Sequence, residues 1–145
     1  MTAPGTPKAP KRVRPLAKAD YERLAEFRYL LRRFHSFSED AAEGAGLTPQ
    51  QHQALLTIKG LRGRSRLGVG ELAERLGIRH HSAVGLVDRL AAKALVRRHG
   101  GTDDHRRVLI GLTPRAEALL ARLTLAHRDE IKRLAPLLRR ILRQL

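Results

Sequence analysis

Most apolar positions in this chain recur at the spacing of an amphipathic helix. From Lys18 to about Ala42 they fall at Leu24, Phe27, Leu30, Leu31, Phe34 and Phe37, one stripe on one face. Gly44 and Gly46 then end the helix. Thr48-Pro49-Gln50-Gln51 restarts one: Thr48 suits the N-cap, Pro49 the first helical position, and Gln51 completes a capping box. Leu55, Leu56 and Ile58 are its expected buried face. The stretch 60–66, GLRGRSR, reads as a basic turn.

A short helix is expected over 69–76 and a longer one from about Arg79 to Ala94, with Gly77 breaking the two apart. Residues 95–99 and 107–112 read as strands on either side of a polar, glycine-bearing tip, 100–106. Thr113-Pro114 opens another helix by the same capping chemistry as Thr48-Pro49. It carries Ala116, Leu119, Leu120, Leu123 and Ala126 on towards Leu134. Pro136 is expected to kink or restart it before a terminal helix bearing Leu137, Leu138, Ile141, Leu142 and Leu145. The fold class is mainly α with a small β-hairpin, and no internal repeat is visible.

The segment 69–86 carries the most specific pattern. Two helices that meet across a turn of about three or four residues need a small residue at the contact and a glycine in the turn. Ala73 and Gly77 supply these, and Leu72, Leu76, Ile78, Ala83 and Leu86 fall at buried positions around them. The same pattern occurs in ordinary helix corners, so the second helix has to discriminate. Ala83, Leu86, Val87, Leu90 and Ala94 make its core face, which turns His81, Gly85, Asp88 and Ala92 outward with Ser82 and Arg89 on a flank. That outer face is short-chained. Gly85 costs about 1 kcal/mol in a helix interior relative to Ala. It either permits close approach to a groove or is a tolerated weak point. His80, His81 and Ser82 stand at the end of the helix that addresses base edges in helix-turn-helix proteins, unless one of them merely caps it. Asp88 would repel phosphate and is expected to pair with a basic neighbour. Arg97, Arg98, Arg106 and Arg107 flank the hairpin tip, where an arginine can enter a narrow minor groove and Asp103 or Asp104 can brace it.

Composition agrees. The 145 residues hold 29 Lys and Arg against 14 Asp and Glu, a formal charge of +15, which favours polyanionic partners through counterion release. Aromatic residues are 3% of the chain and Trp is absent, which leaves little material for base-stacking platforms. With no cysteine, disulfides, thiolate metal sites and cysteine catalysis are excluded. No apolar run is long enough to span a membrane, and residues 1–15 lack the apolar core of a secretory signal, so a cytoplasmic location is expected. Residues 1–17, rich in proline and basic side chains, read as a disordered tail that also has the charge to touch DNA.

Enzymatic chemistry finds no support. The serines lack a nucleophile-elbow context, and GLRGRSRLG has glycines without a Walker lysine. Asp103-Asp104-His105 near His99 lacks helix-borne ligand pairs, and no metal or cofactor is assigned. A metal-responsive regulator using histidines remains an alternative, as does a non-specific architectural nucleic-acid-binding protein.

The chain resembles the multiple antibiotic resistance regulator (MarR) family from about Leu47 to Leu123. The resemblance rests on LTPQQHQALL, GELAERLGI, SAVGLVDRLAAKALV and above all DDHRRVLIGLT. The family's Asp-x-Arg pair falls on Asp104 and Arg106, and its Leu-Thr pair on Leu112 and Thr113. Ala94 and Ala116 stand where the family often has glycine. The resemblance implies a winged helix-turn-helix over 47–112 within a single domain, 18–145, and a homodimer interlocked through 18–46 and 113–145. It implies recognition helices in successive major grooves of a pseudo-palindrome, with Arg106 in a flanking minor groove. It also implies a sequence-specific repressor of transcription, released by a small anionic or phenolic ligand. The candidate DNA-contacting residues are Arg79, His80, His81, Ser82, Val84, Gly85, Arg89, Arg106 and Arg107, with Arg62 and Arg64 from the basic turn. The apolar surface of the first and last helices exceeds what one helix-turn-helix can cover, which separately points to a symmetric dimer.

Overall fold

The computed structural model describes residues 14–100 and 107–145. Its elements run α1 (Lys18–Gly44), α2 (Pro49–Lys59), β1 (Arg66–Leu67), α3 (Val69–Leu76), α4 (His80–Ala92), β2 (Val96–His99), β3 (Leu109–Leu112) and α5 (Pro114–Arg143). Local chemistry sets most of these boundaries. Thr48 Oγ1 accepts from the Gln51 N–H at 3.1 Å while the Thr48 N–H donates to Gln51 Oε1 at 3.1 Å, a reciprocal capping box that starts α2. Asp20 takes the Ala17 N–H at 2.7 Å at the head of α1. α1 closes with the Leu47 N–H on the Ala42 carbonyl at 2.9 Å, across Gly46 at φ 77°.

The helix pair forms as the sequence predicts. Gly77 takes a left-handed φ of 65°, and the Ile78 N–H reaches the Ala73 carbonyl at 3.0 Å. Ala73 is 5% exposed, small enough to lie at the contact. α4 buries Ala83, Leu86, Val87 and Leu90. The expected helix to Ala94 stops at Ala92, and Ala94 is not a core residue: it is exposed, with φ 56°. A left-handed residue turns the chain from α4 into β2, a task for which the missing glycine would be the unstrained choice.

The sheet has three antiparallel strands in the order β1-β3-β2. The turn expected over 60–66 therefore gives way at Arg66 to a strand, in which Arg66 faces Gly111 and Leu67 faces Ile110. Two residues carry no period-2 signal; the fully buried Leu67 anchors them. In the hairpin, Val96 pairs Leu112 and His99 pairs Leu109. Gly111 is crowded on the central strand: a Cβ there would lie 3.2 Å from the Arg66 Cγ and 3.2 Å from His99 Nε2.

One core joins α2, α3, α4, the sheet and the first half of α5 through Leu55, Ile58, Leu67, Leu72, Leu86, Leu90, Ile110 and Leu120. Thr113 ties it at the junction: its hydroxyl donates to the Ala94 carbonyl at 2.7 Å and accepts from the Ala116 N–H at 3.2 Å. A second, small cluster of Leu30, Leu134 and Ile141, flanked by Phe27, Phe34, Leu137 and Leu138, joins α1 to the far half of α5. α5 runs unbroken past Pro136, so no separate terminal helix exists. Pro136 and Lys132 are both exposed, so the carbonyl freed by the missing N–H faces water, while Leu134 and Ile141 hold the helix to Leu30 on either side. Leu24 and Leu56, expected on buried faces, are 62% and 40% exposed.

Candidate nucleic-acid interface

The candidate interface is the outer face of α4 and what surrounds it. Burial of Ala83, Leu86, Val87 and Leu90 against the core fixes the rotation of α4, so His81, Gly85 and Asp88 point away from it. Arg79 is the N-cap residue, with no side-chain cap bond, so neither His80, His81 nor Ser82 caps the helix in the usual way. His80 and His81 are exposed at the helix start, where free backbone N–H groups and the helix dipole favour anions. Val84 is 38% exposed beside them. The Arg89 side chain folds back over Gly85, whose added Cβ would stand 3.1 Å from Arg89 Nη1.

Asp88 does find a basic partner. It forms an ion pair with Arg98 of β2, which neutralises the one carboxylate on the outer face and ties the hairpin to the helix. Both side chains are well exposed, so the direct stabilisation is small. Arg97 and Arg107 are exposed on the hairpin strands and their approach. Arg106, with Asp103, Asp104 and His105, lies outside the described residues.

The two arginines of the basic turn differ. Arg62 is exposed. Arg64 is engaged by Glu71 of α3 through both carboxylate oxygens, with Nη1 to Oε2 at 2.8 Å, and Arg75 Nε adds a third contact to Glu71 at 3.2 Å. The hydrogen bond from Arg64 holds the Glu71 carboxyl below its ordinary range, and the same bond raises the Arg64 guanidinium. Arg64 thus braces the turn against α3 and offers less free charge than Arg62.

A second polar feature was not legible as a pair in the sequence. His52 of α2 is 1% exposed and its Nδ1 has no partner. Its ring lies 4.9 Å, centroid to centroid, from that of His127 on α5. His127 Nδ1 lies 2.6 Å from the Leu123 carbonyl, an acceptor only, so Nδ1 carries the proton. In the neutral ring Nε2 then accepts from the Ser38 hydroxyl of α1 at 2.9 Å. Burial, and secondarily the charge of His127, pushes His52 below its ordinary value. An apolar cavity of about 390 Å³ opens beside this pair between Phe34, Leu56, Thr124 and Ile131, with Arg128 and Lys132 at its edge. Among the described residues no three His, Cys, Asp or Glu side chains gather as a metal site.

The MarR family model matches residues 45–107, which hold α2, β1, the helix pair and β2. Over those residues the chain is similar to the MarR family, and its elements make a winged helix-turn-helix. Solved structures extend the likeness beyond the matched segment. MepR, a transcription regulator of the Staphylococcus aureus multidrug efflux pump MepA, has a TM-score of 0.67 at 20% identity, covering 83% of this chain and 84% of its own. AbsC, a MarR family transcriptional regulator from Streptomyces coelicolor, has 0.65 at 19%, covering 83% and 81%. A variant of S. aureus MepR bound to an oligodeoxyribonucleotide has 0.65 at 21%, covering 83% and 84%. At such identities these neighbours establish the MarR fold and no more. No curated protein sequence matches the chain. Among the described residues no helix is long and apolar enough to cross a membrane.

Proposed function

We propose that the chain is a homodimeric, sequence-specific operator-binding repressor of the cytoplasm, with α4 in the major groove and the hairpin on the flanking minor groove. The observation that carries this is the Asp88–Arg98 tie, which fixes the short-chained outer face of α4 and the arginine-bearing hairpin as one surface. In this reading Arg79, His80, His81, Ser82, Val84, Gly85 and Arg89 face base edges, while Arg62, Arg64, Arg106 and Arg107 serve phosphates or the minor groove. The DNA-bound MepR variant shows that a protein of this fold takes such a ligand.

Dimerisation through 18–46 and 113–145 is supported by the apolar side chains left uncovered there, among them Tyr21, Leu24, Ile131 and Leu142. Relief by a small anionic or phenolic ligand is supported by the apolar cavity beside His52. Two cationic side chains at its edge suit a compact molecule with one anionic end.

Selection of bound sequences from random duplex DNA by the purified protein tests the reading. The expected product is an inverted repeat with half-sites about one helical turn apart, preferred about 10³-fold or more over unrelated duplex at a stated salt concentration. Binding without sequence preference, with a steep salt dependence, would instead leave the +15 charge as the whole basis of DNA affinity.

A further inference from the structure

Helical side chains lean toward the N-terminus, so the residue at i+4 lies over the residue at i. Arg89 therefore lies over Gly85. A Cβ on Gly85 would meet Arg89 Nη1 at 3.1 Å, Cζ at 3.9 Å and Nη2 at 4.0 Å, so the guanidinium occupies the space a side chain at 85 would need. We propose that Gly85 is a slot that holds the Arg89 guanidinium at the middle of the outer face of α4, where it reads one guanine in each half-site. This rests on the DNA-binding reading above and names the base that reading leaves open.

Three observations converge on it. The slot lies opposite the buried Ala83, Leu86, Val87 and Leu90, so it is central on the face turned away from the core and not at the edge of a groove, where phosphates run. The neighbouring carboxylate, Asp88, is taken by Arg98, and Arg89 enters no ion pair or hydrogen bond among the described residues. Its fork of donors is thus unengaged among the described residues. That fork matches the O6 and N7 acceptors of guanine, which a lysine cannot engage in two parallel bonds. His81, one turn earlier, and the half-exposed Val84 flank the fork with a hydrogen-bonding ring and a methyl surface suited to a thymine methyl. Gly85 also stands mid-helix where alanine would be the better helix former, a loss that the slot explains.

The full-length protein is used throughout, on the duplex it selects from a random pool and on copies carrying 7-deazaguanine at each guanine in turn. R89A is expected to lose about 5- to 150-fold in affinity per half-site and to relax preference at one G·C pair per half-site. 7-Deazaguanine at that position should weaken the native protein and leave R89A unaffected. The salt slope should stay unchanged, because no phosphate contact is lost, and R89K should not restore the preference. G85A separates the slot from folding: it should raise the thermal midpoint while losing preference at the same base pair. The proposal is overturned if R89A weakens all sequences alike and lowers the salt slope by about one per protomer, the signature of a phosphate contact. It is also overturned if G85A keeps the guanine preference. A native protein that selects no sequence at all would sink the DNA-binding reading itself, a result distinct from both.

Discussion

The winged unit and the lobe formed by α1 with the far half of α5 solve burial in opposite ways. In the winged unit, Leu55, Ile58, Leu67, Leu72, Val87, Leu90 and Ile110 come from five helices and strands and lose essentially all contact with water. In the lobe the buried apolar cluster is Leu30, Leu134 and Ile141, while Leu24 and Leu142 stay 62% and 58% exposed. Both regions are rich in leucine, so composition does not separate them. The difference is geometric. Several short elements close around a common centre, whereas two long helices side by side cover only the seam between them. The lobe's uncovered apolar side chains are what the proposed dimer would bury, while the winged unit is finished within one chain.

The largest expected effects test that contrast directly. Leu90→Ala removes a fully buried side chain and should cost about 2–5 kcal/mol in denaturant unfolding, a large part of the roughly 5–15 kcal/mol typical of a domain. Leu142→Asp should instead act on assembly, shifting sedimentation from dimer to monomer and making the unfolding midpoint independent of protein concentration. A Leu142→Asp protein that remains dimeric at micromolar concentration would show that the lobe does not seek a partner through this face.

The same contrast explains what the sequence made legible. Thr48 with Gln51, Thr113 with Pro114, and Gly77 each act over a few residues, and each capped or broke its helix as read. The outer face of α4 followed from helical period alone, including the need for a partner at Asp88. Which residue answered that need was not legible, because Arg98 sits ten positions away on a strand and only the hairpin's register brings it back. The strand at Arg66–Leu67 was too short to announce itself, and Arg64 met Glu71 only because that strand turns the chain. Pro136 was read as a break because local chemistry says so; packing on Leu30 outweighs it. His52 and His127 belong together solely through the packing of α2 on α5. The tip residues of the wing, Arg106 among them, fall outside the described residues.

A smaller effect is expected at the seam between α4 and the hairpin. Ala94 holds φ at 56°, a conformation that costs an L-residue with a Cβ roughly 1–2 kcal/mol. Its carbonyl accepts from the Thr113 hydroxyl and its N–H donates to the Ala91 carbonyl at 2.9 Å, so the turn is pinned whatever stands at this position. Glycine relieves the strain but gives the unfolded chain more freedom, about 0.5–1 kcal/mol. Ala94→Gly should therefore stabilise the protein by about 0.5–1 kcal/mol and leave dimerisation unchanged. Destabilisation on thermal or chemical unfolding would mean that the turn is not strained.

The smallest effect lies where the two regions meet. His52 belongs to the winged unit and His127 to α5, and burial holds the His52 imidazolium at a disadvantage, with the charge of His127 adding to it. A base whose folded value lies below its unfolded value of 6.5 binds more protons when unfolded. Stability then rises with pH across that interval, so the contribution is complete above about pH 6.5 and is lost as pH falls towards the depressed value. Glu71, also held low, works in the same direction, but its window begins only below the ordinary carboxylate value of 4.5. The two windows therefore open at different pH. Stability measured by denaturant unfolding at a series of pH values should begin to decline as pH falls below about 6.5 in the native protein and decline less in His52→Met. If His52→Met shows the same decline below pH 6.5, the buried ring is not what acid attacks, and the junction between winged unit and lobe is no weaker at low pH than either region alone.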